Sequence, residues 1–236
     1  MTIETTLLLL ESVLLMVTIA LLLYSIREGR RRSSFILEVS KATKILTRME
    51  YFLAVTDSVV EAKEEIIGCV TGRRPAGDDE KRVRAIINAV DKAKSRGVRV
   101  RYILPKFHDR LYMGYLYVSA GAEVRYASCS MVSSLRYVVV DDRLVVIGIP
   151  ESVGRKKATR KGHRLPSKAL ASIMKSHFYS CWQTNVTLEE YVKEALKQTG
   201  VSVKRLALEL GIEAKEFERI VTKSSPQSHG RQVRDN

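Results

Sequence analysis

The sequence predicts an α/β domain in which helices flank a mixed, mostly parallel sheet, preceded by a transmembrane helix and followed by a small helical unit. Two observations support the prediction for the domain. Short runs of β-branched residues alternate with helical patterns between residues 59 and 127, an order typical of strands joined by helical crossovers. Two further β-branched runs flank an Asp-Asp-Arg turn within residues 134–151, which predicts a hairpin that closes the sheet.

Composition restricts the classes of function. The 236 residues allow one domain of ordinary size with appendages, and the net charge of +14 favours anionic partners such as nucleic acid or acidic lipid. The cysteines Cys69, Cys129 and Cys181 form no pair at metal-ligand spacing, and the four histidines are scattered along the chain. The sequence therefore predicts no metal site, no cofactor and no disulfide framework, in a reducing compartment.

An apolar segment dominates the N-terminal part of the chain, residues 1–32. Residues 5–26 contain Glu11 as their one charged residue, and a segment of this length can cross a bilayer. Arginines follow at positions 27 and 30–32, whereas no basic residue precedes the segment. The positive-inside rule then predicts a single-pass membrane protein whose C-terminal bulk lies in the cytoplasm. A cleaved signal peptide is disfavoured, because it would need its basic residues first.

Residues 33–58 show apolar residues at helical spacing with basic residues between them. The pattern predicts a juxtamembrane helix that carries the chain from the membrane to the domain. Its apolar stripe is expected to pack on the domain, and a dimer contact is the alternative. The stripe comprises Phe35, Val39, Ala42, Leu46, Met49 and Leu53.

The predicted domain covers residues 59–185. Glycines separate its repeated strand and helix patterns, and Asp78 or Asp79 can cap its first helix. His108 is expected on a helix surface, because the acid that follows it would point to another side. In chain order the elements before the hairpin are strand 65–70, helix 80–95, strand 98–104, helix 106–119 and strand 123–127.

In the hairpin, four residues separate Arg136 from Asp141 and six separate Asp141 from Gly148. This spacing resembles the signature of the phospholipase D-like superfamily, H-x-K-x4-D-x6-G-S-x-N. Asp141 and Gly148 stand where the motif has its Asp and its Gly, with both intervals intact. The similarity covers about residues 59–184 and contains a single, degenerate copy of the motif. At the other positions Ser134 replaces the His, Arg136 the Lys, Ile149 the Ser and Glu151 the Asn.

This resemblance implies a phosphodiesterase fold whose missing His would have formed a covalent phosphoenzyme. Ser134 has no neighbouring base in the sequence, and a nucleophile needs such activation. Arg136 can still grip a phosphate, because a guanidinium forks onto phosphate oxygens. We therefore expect an inactive, phosphate-binding relative, and a core hairpin without any ligand is the alternative. Relatives with one motif copy pair two chains to build a site, so the resemblance also raises a homodimer.

A basic stretch follows the hairpin, and residues 152–188 contain no acid. Its first part, with two glycines and no apolar pattern, is predicted as a mobile loop that could bind the phosphates of nucleic acid or anionic lipid. The alternative is a solvated loop without a specific partner. His163 lies in this loop and is a candidate to replace the missing nucleophile. The candidate phosphate-binding residues are Arg155, Lys156, Lys157, Arg160, Lys161 and Arg164.

The C-terminal part is predicted to be helical. Leu170, Ile173, Met174, Phe178 and Trp182 mark an amphipathic helix that should pack on the sheet. Residues 186–223 then resemble a helix-turn-helix unit, with helices predicted over 188–198, 202–210 and 213–222. The second motif helix begins with acidic residues, which favours protein contact over base reading. The polar tail, residues 224–236, is predicted to be disordered.

Three functions follow from these features. The first is a membrane-anchored, catalytically inactive phospholipase D-like protein that binds phosphate-bearing ligands or partner proteins. The second is an active phosphodiesterase or nuclease with an unorthodox nucleophile. The third is a membrane-tethered DNA-binding regulator that uses the C-terminal helices.

Overall fold

The computed structural model describes residues 12–27, 45–129, 132, 135–150 and 159–223. The chain divides into two compact units, Met1–Thr43 and Lys44–Asn236. In the first unit, residues 12–27 form a helix (α1) whose residues are all exposed. None of the helices in the described ranges combines the length and the apolarity that a membrane span requires. Residues 5–11 of the expected transmembrane segment lie outside the described residues.

The second unit is built on one mixed sheet, so the predicted α/β class is confirmed. Two strand pairs, β2–β3 and β3–β4, are parallel, and the other five pairs in the described ranges are antiparallel. The expectation of a mostly parallel sheet was therefore wrong, because β5, β6 and β7 return directly as antiparallel neighbours. The order is β1-β7-β6-β5-β2-β3-β4-β8. The strands are β1 Ile45–Thr47, β2 Glu65–Cys69, β3 Arg99–Pro105, β4 Glu123–Ala127, β5 Arg136–Val140, β6 Leu144–Pro150, β7 Thr159–Leu165 and β8 Val186–Thr187.

Helices cover both faces of this sheet. Tyr51 of α2 lies against β7 at Gly162, whereas the Tyr137 hydroxyl of β5 reaches α5 on the opposite face. α3 packs on α2, and the Tyr117 ring of α4 contacts Tyr102 on the α2 face. The helices are α2 Arg48–Glu61, α3 Asp78–Ser95, the 3-10 turn His108–Arg110, α4 Leu111–Ser119, α5 Lys168–Trp182, α6 Leu188–Thr199, α7 Val203–Leu210 and α8 Ala214–Lys223.

Residues 33–44 of the predicted juxtamembrane helix, with Phe35, Val39 and Ala42, lie outside the described residues, and the described remainder departs from the prediction at its start. Residues 45–47 form the edge strand β1, and α2 starts at Arg48. Thr47 explains the boundary, because its backbone N–H donates to the Glu50 carboxylate over 2.8 Å and its hydroxyl accepts from the Glu50 N–H over 3.3 Å. Such a capping box fixes a helix start. Met49 and Leu53 of the predicted stripe are exposed, whereas Leu46 is buried.

Two other local predictions needed correction. The cap of α3 is Gly77, and Asp78 and Asp79 lie in its first turn, where carboxylates favour the helix dipole. Residues 159–165 of the expected mobile loop after the hairpin form β7, which pairs with β6 and β1, whereas residues 151–158 lie outside the described residues. Gly162 permits this packing, since a Cβ there would lie 2.5 Å from the Tyr51 ring. Pairing on both sides, rather than apolar alternation, produces this strand.

The C-terminal helices share the core of the sheet. Leu188, Tyr191, Leu206 and Phe217 belong to the same buried cluster as Tyr102, and β8 pairs with β4. Residues 186–223 thus pack on α4 and the sheet edge instead of forming a core of their own. Core packing of the helix before them is confirmed for Leu170, Phe178 and Trp182, whereas Ile173 is exposed.

The hairpin turn is fixed by Asp141. Asp141 and Asp142 have φ angles of 49° and 53°, the positive values that a type I′ turn needs and that Asp tolerates. The Asp141 carboxylate accepts backbone N–H bonds from Lys63, Glu64 and Glu65 over 2.9–3.2 Å. The motif Asp therefore ties the hairpin to the start of β2.

Glu65 is buried on the α5 face of the same end of the sheet. Its carboxylate accepts from the Tyr179 hydroxyl over 2.6 Å and lies 3.0 Å from Lys175 and 3.5 Å from Arg101. Burial raises the pKa of this carboxyl, but the bonds to Tyr179 and Lys175 outweigh burial and leave the pKa lowered. Glu65 therefore stays ionised and links β2, β3 and α5.

We expect Asp141→Asn to lower the free energy of unfolding by about 1–3 kcal/mol, because the amide group places a donor where a carboxylate oxygen accepts a backbone N–H. Urea unfolding followed by circular dichroism measures the change. Asp142→Asn is the matched control, since Asn tolerates the same φ angle and the exposed pair with Lys175 should contribute at most about 0.5 kcal/mol. Equal decreases in the free energy of unfolding of the two variants would contradict the proposed role of Asp141 in holding the hairpin to β2.

Candidate anion-binding site

A cavity of about 340 Å³ opens at the carboxyl ends of β2 and β3 on the α2 face of the sheet. Loops that follow adjacent parallel strands commonly build ligand sites at this edge. Among the described lining residues Asp79 is the one carboxylate, and we name the cavity for its arginines. The arginine cavity is lined by Arg48, Arg73, Arg74, Arg110 and Arg136.

The five arginines lie on different structural elements. Arg136 is the first residue of β5, pairs with Gly148 of β6 and is 8% exposed. Arg110 ends the 3-10 turn after β3 and is 5% exposed. Arg73 and Arg74 lie in the exposed loop after β2, and Arg48 begins α2. Two guanidinium groups therefore sit deep in the cavity, and three lie at its rim.

Ion pairs leave the cavity with excess positive charge. The Asp79 carboxylate accepts hydrogen bonds from Arg48 and, over 2.9 Å, from Arg82. Arg110 lies 3.1 Å from the exposed Asp109 carboxylate. Arg74 stacks on the Tyr112 ring at 4.4 Å and donates to the Leu210 carbonyl of α7 over 3.4 Å. The described lining of the cavity therefore carries five arginines and one carboxylate, and Arg82 shares that carboxylate.

The arginines repel one another inside the cavity. Burial lowers the pKa of Arg136, and the charges of Arg110, Arg48 and Arg73 lower it further, against the opposing effect of Tyr51. Like charges interact more strongly where water is excluded. A bound anion would relieve this repulsion, so the electrostatics of the cavity favour an anionic ligand.

Tyrosines supply neutral donors in the same cavity. Burial raises the pKa of Tyr51 to about 12, despite the nearby charge of Arg136. Burial also raises the pKa values of Tyr102 and Tyr117. All three residues line the cavity, and their hydroxyls stay protonated near neutral pH. A protonated hydroxyl donates a hydrogen bond and is a poor nucleophile.

The predicted site residues divide into three groups. Arg136 lies in the arginine cavity, whereas Asp141 lies at the opposite end of β5, where its carboxylate accepts backbone N–H groups. Lys161 and Arg164 are exposed on β7, where Arg164 pairs with Glu61 at 3.4 Å, and neither lines the cavity. Arg160 belongs to β7, but its side chain lies outside the described part. Outside the described residues lie Ser134, Glu151, Arg155, Lys156 and Lys157.

The described lining of the arginine cavity contains no histidine. His163 pairs with Ile147, which is in register with Tyr137, so its side chain lies on the opposite face from Arg136. His108 lines a neighbouring second cavity of about 690 Å³, which shares Arg73 and Arg110 with the first. The rest of the described lining of this second cavity is Lys106, Phe107, Asp109, Ser128, Tyr191, Glu194 and Gln198.

Sequence reasoning missed four of the cavity arginines. Arg73 and Arg110 follow predicted strands, and the rule that sites form at the carboxyl ends of parallel strands could have selected them. Arg74 is adjacent to Arg73 in the same loop. No sequence pattern selected Arg48. This residue reaches the cavity because α2 begins there, whereas the sequence predicted a helix that starts earlier.

In architecture this chain is a helix-flanked mixed sheet that carries an arginine-lined cavity. Among solved structures, the chain is similar to Nuc from Salmonella typhimurium, a phospholipase D family member, with a TM-score of 0.46 and 16% identity over 61% of this chain and 95% of that chain. It is similar to NucT from Helicobacter pylori, with a TM-score of 0.47 and 13% identity over 61% and 97% of the two chains.

A third similar structure is that of TrmBL2, an archaeal chromatin protein with a novel mode of DNA binding. The TM-score is 0.43 and the identity 18%, and the match covers 68% of this chain and 63% of that chain. No protein-family profile and no curated protein matches the sequence.

We expect Arg136→Met to leave the free energy of unfolding of the ligand-free protein unchanged or to raise it, by up to about 2 kcal/mol at low salt. The reason is that an apolar side chain replaces a charge that burial and like charges disfavour. Urea unfolding at two salt concentrations measures this, and added salt should shrink the difference. Arg164→Met, at an exposed ion pair, should change stability by at most about 0.5 kcal/mol. A loss of stability in Arg136→Met larger than in Arg164→Met would contradict the repulsion.

Proposed function

We propose that this chain is a phospholipase D-like protein that binds phosphate-bearing ligands in the arginine cavity and no longer catalyses phosphodiester hydrolysis. The observation that carries the proposal is the cluster of guanidinium groups around Arg136, of which two are buried. Guanidinium groups bind phosphate through paired, charge-assisted hydrogen bonds. The protonated hydroxyl of Tyr51 adds a neutral donor beside Arg136.

The second cavity supports a ligand larger than inorganic phosphate. Arg73 and Arg110 line both cavities, so a phosphate held in the first would place an attached group toward the second. Phe107, His108 and Tyr191 supply aromatic surfaces there, and the ammonium group of Lys106 pairs with Glu194 of the same cavity at 2.5 Å. A phosphodiester with one organic substituent fits this arrangement, and both nucleic acid and anionic lipid provide that chemistry.

Inactivity is proposed from the residue that replaces the nucleophile. At the position of the motif His the chain has Ser134, and a serine hydroxyl needs an adjacent base to attack phosphorus. The alternative is an active phosphodiesterase, and its support is His108, whose cavity shares two arginines with the proposed phosphate site. Turnover of a phosphodiester that His108→Gln abolishes, with a phosphoenzyme in acid-quenched samples, would favour the alternative.

We expect phosphate to stabilise the full chain, purified in detergent, by up to about 2.7 kcal/mol at a hundredfold excess over its dissociation constant. Thermal unfolding in phosphate, and in chloride of equal ionic strength, measures the effect. Arg136→Met and Arg110→Met should lose this stabilisation, because the ligand loses a charged donor. Arg164→Met should keep it, since this arginine does not line the cavity.

The class of ligand is tested in the same assay. A thymidine dinucleotide represents nucleic acid, and glycerophosphoglycerol represents an anionic lipid headgroup. Stabilisation by one that exceeds that of inorganic phosphate would identify the source. Equal stabilisation of wild type and Arg136→Met by every phosphate compound would overturn the proposal.

We also propose that residues 5–26 anchor the protein in a membrane, with the C-terminal bulk in the cytoplasm. Support comes from α1, in which eleven large apolar side chains between Val13 and Ile26 are 48–70% exposed. Exposed apolar surface of this extent is costly in water. The arginines at 27 and 30–32 support the orientation.

We expect Leu14→Lys with Leu21→Lys to release the protein from membranes, because each lysine near the middle of a span costs about 2.5–3.5 kcal/mol. Alkaline carbonate extraction of membranes from expressing cells measures retention. The matched control is Leu53→Lys with Leu208→Lys, two leucines of the second unit that are 55% and 79% exposed. The anchor would be refuted by a wild-type protein that carbonate extracts.

A DNA-binding regulator is the remaining alternative. The helices of the motif are present as α7 and α8, with Phe217 of α8 buried against the core. Glu213, Glu216 and Glu218 are exposed at the start of α8, where they would repel DNA phosphates. We therefore favour protein contact for this surface. Homodimer formation also stays a proposal that rests on the family resemblance.

A further inference from the structure

The second cavity differs in chemistry from the arginine cavity beside it. Its described lining contains three aromatic side chains, Phe107, His108 and Tyr191, and seven polar or charged ones. None of these ten residues is Ala, Val, Leu, Ile or Met, whereas Val55 and Ile86 are among the lining of the arginine cavity. Aromatic faces with polar groups around them are typical of sites that bind a nucleobase. An acyl chain would instead need aliphatic walls, which the described lining does not provide.

The charges of the second cavity are nearly balanced within its described lining. The Lys106 ammonium lies 2.5 Å from the Glu194 carboxylate, and the Arg110 guanidinium lies 3.1 Å from the Asp109 carboxylate. Both carboxylates of the lining are therefore paired with cations of the same lining. Arg73 is the remaining arginine or lysine there, and it also lines the arginine cavity. A neutral ligand group thus fits the second cavity, and an anionic group fits the boundary between the two cavities.

The aromatic rings lie close to this boundary. The ring of the exposed His108 lies 6.0 Å from the ring of the buried Tyr191, at an interplanar angle of 49°. The Arg110 guanidinium lies over the ring of the half-buried Phe107, at 5.9 Å. Tyr191 therefore supports the His108 ring from below, and Arg110 lies next to an aromatic surface. Nucleobases stack on such rings and on guanidinium planes.

The amide group of Gln198 adds a hydrogen-bonding group to the same lining. Its nitrogen donates to the Glu194 carboxylate over 3.3 Å, so its oxygen can accept a hydrogen bond from an amino group of a ligand. The exposed Ser128 hydroxyl can donate or accept. Polar side chains of this kind bind the edges of a base whose face is stacked on a ring.

We propose that the second cavity binds the base of a nucleotide whose phosphate lies beside Arg73 and Arg110. The inference rests on the proposed phosphate binding in the arginine cavity and names the ligand class as a nucleotide, either free or at the end of a strand. Because Arg73 and Arg110 line both cavities, one ligand can place its phosphate at the boundary and its base in the second cavity. The volume of about 690 Å³ is within the range of small-molecule sites.

Adenosine 5′-monophosphate and ribose 5-phosphate test this inference, because the second compound lacks only the base. Isothermal titration calorimetry of the full chain in detergent, at constant ionic strength, measures both dissociation constants. We expect the nucleotide to bind at least about fivefold more tightly, the smallest gain that one stacked base provides. Dibutyryl phosphatidic acid represents a lipid and should bind no more tightly than ribose 5-phosphate.

Variants at position 108 separate stacking from the other roles of a histidine. We expect His108→Ala to lose the preference for the nucleotide over ribose 5-phosphate, whereas His108→Phe should keep it, because a phenyl ring also stacks. Ribose 5-phosphate should bind equally well to both variants. The matched control is His163→Ala, since this histidine of β7 lines neither cavity, and it should keep the preference.

Three results would overturn the inference: equal binding of the nucleotide and ribose 5-phosphate to the wild type, tighter binding of the phosphatidic acid than of the nucleotide, or equal preferences in His108→Ala and His108→Phe. In each case the proposed function stands if inorganic phosphate still binds to the wild type and fails to bind to Arg136→Met. If no phosphate compound binds to the wild type, the proposed function and this inference are both wrong.

Discussion

Repulsion between guanidinium groups at the carboxyl ends of β2 and β3 is the constraint on which the site depends. Arg110 and Arg136 are 5% and 8% exposed, and the charges of Arg48 and Arg73 are close enough to disfavour the ionised form of Arg136. Charges of one sign cost most where water is excluded. A chain that keeps such a cluster in its fold gains little stability from it, so a bound anion is the simplest reason for its presence.

Two sets of ionised side chains lie at opposite ends of β2. At the amino end, Asp141 accepts three backbone N–H groups and Glu65 binds Tyr179 and Lys175, so these carboxylates are satisfied within the fold. At the carboxyl end lie the arginines, with Asp79 the one carboxylate among the described lining residues. Glu65 pairs with Lys175 and Arg101 at its own end, so these carboxylates do not neutralise the arginines of the cavity. This arrangement also assigns the motif residues different tasks: Asp141 holds the hairpin, and Arg136 faces the cavity.

The sequence predicted the elements that periodic patterns specify. The strand over residues 123–127, the hairpin and the three C-terminal helices agree with the structure to within one or two residues. It failed where contacts between distant residues decide the structure. β7 exists because β1 and β6 pair with it, and its own residues show no strand pattern. In the site, Arg136 was predicted from the motif, but Arg48 and Arg110 reach the cavity through elements whose positions the sequence does not reveal. Lys161 and Arg164, two of the basic residues that follow the hairpin in sequence, do not line the cavity.

The central claim is that phosphate binds among these guanidinium groups. Nitrogen-15 NMR of arginine Nε–H groups, with inorganic phosphate added at constant ionic strength, tests it most directly. We predict that the signals of Arg48, Arg110 and Arg136 shift together and saturate, with slower hydrogen exchange at Nε, while the signal of the exposed Arg164 stays unchanged. Shifts of equal size at Arg164, or none at Arg110 and Arg136, would contradict the account.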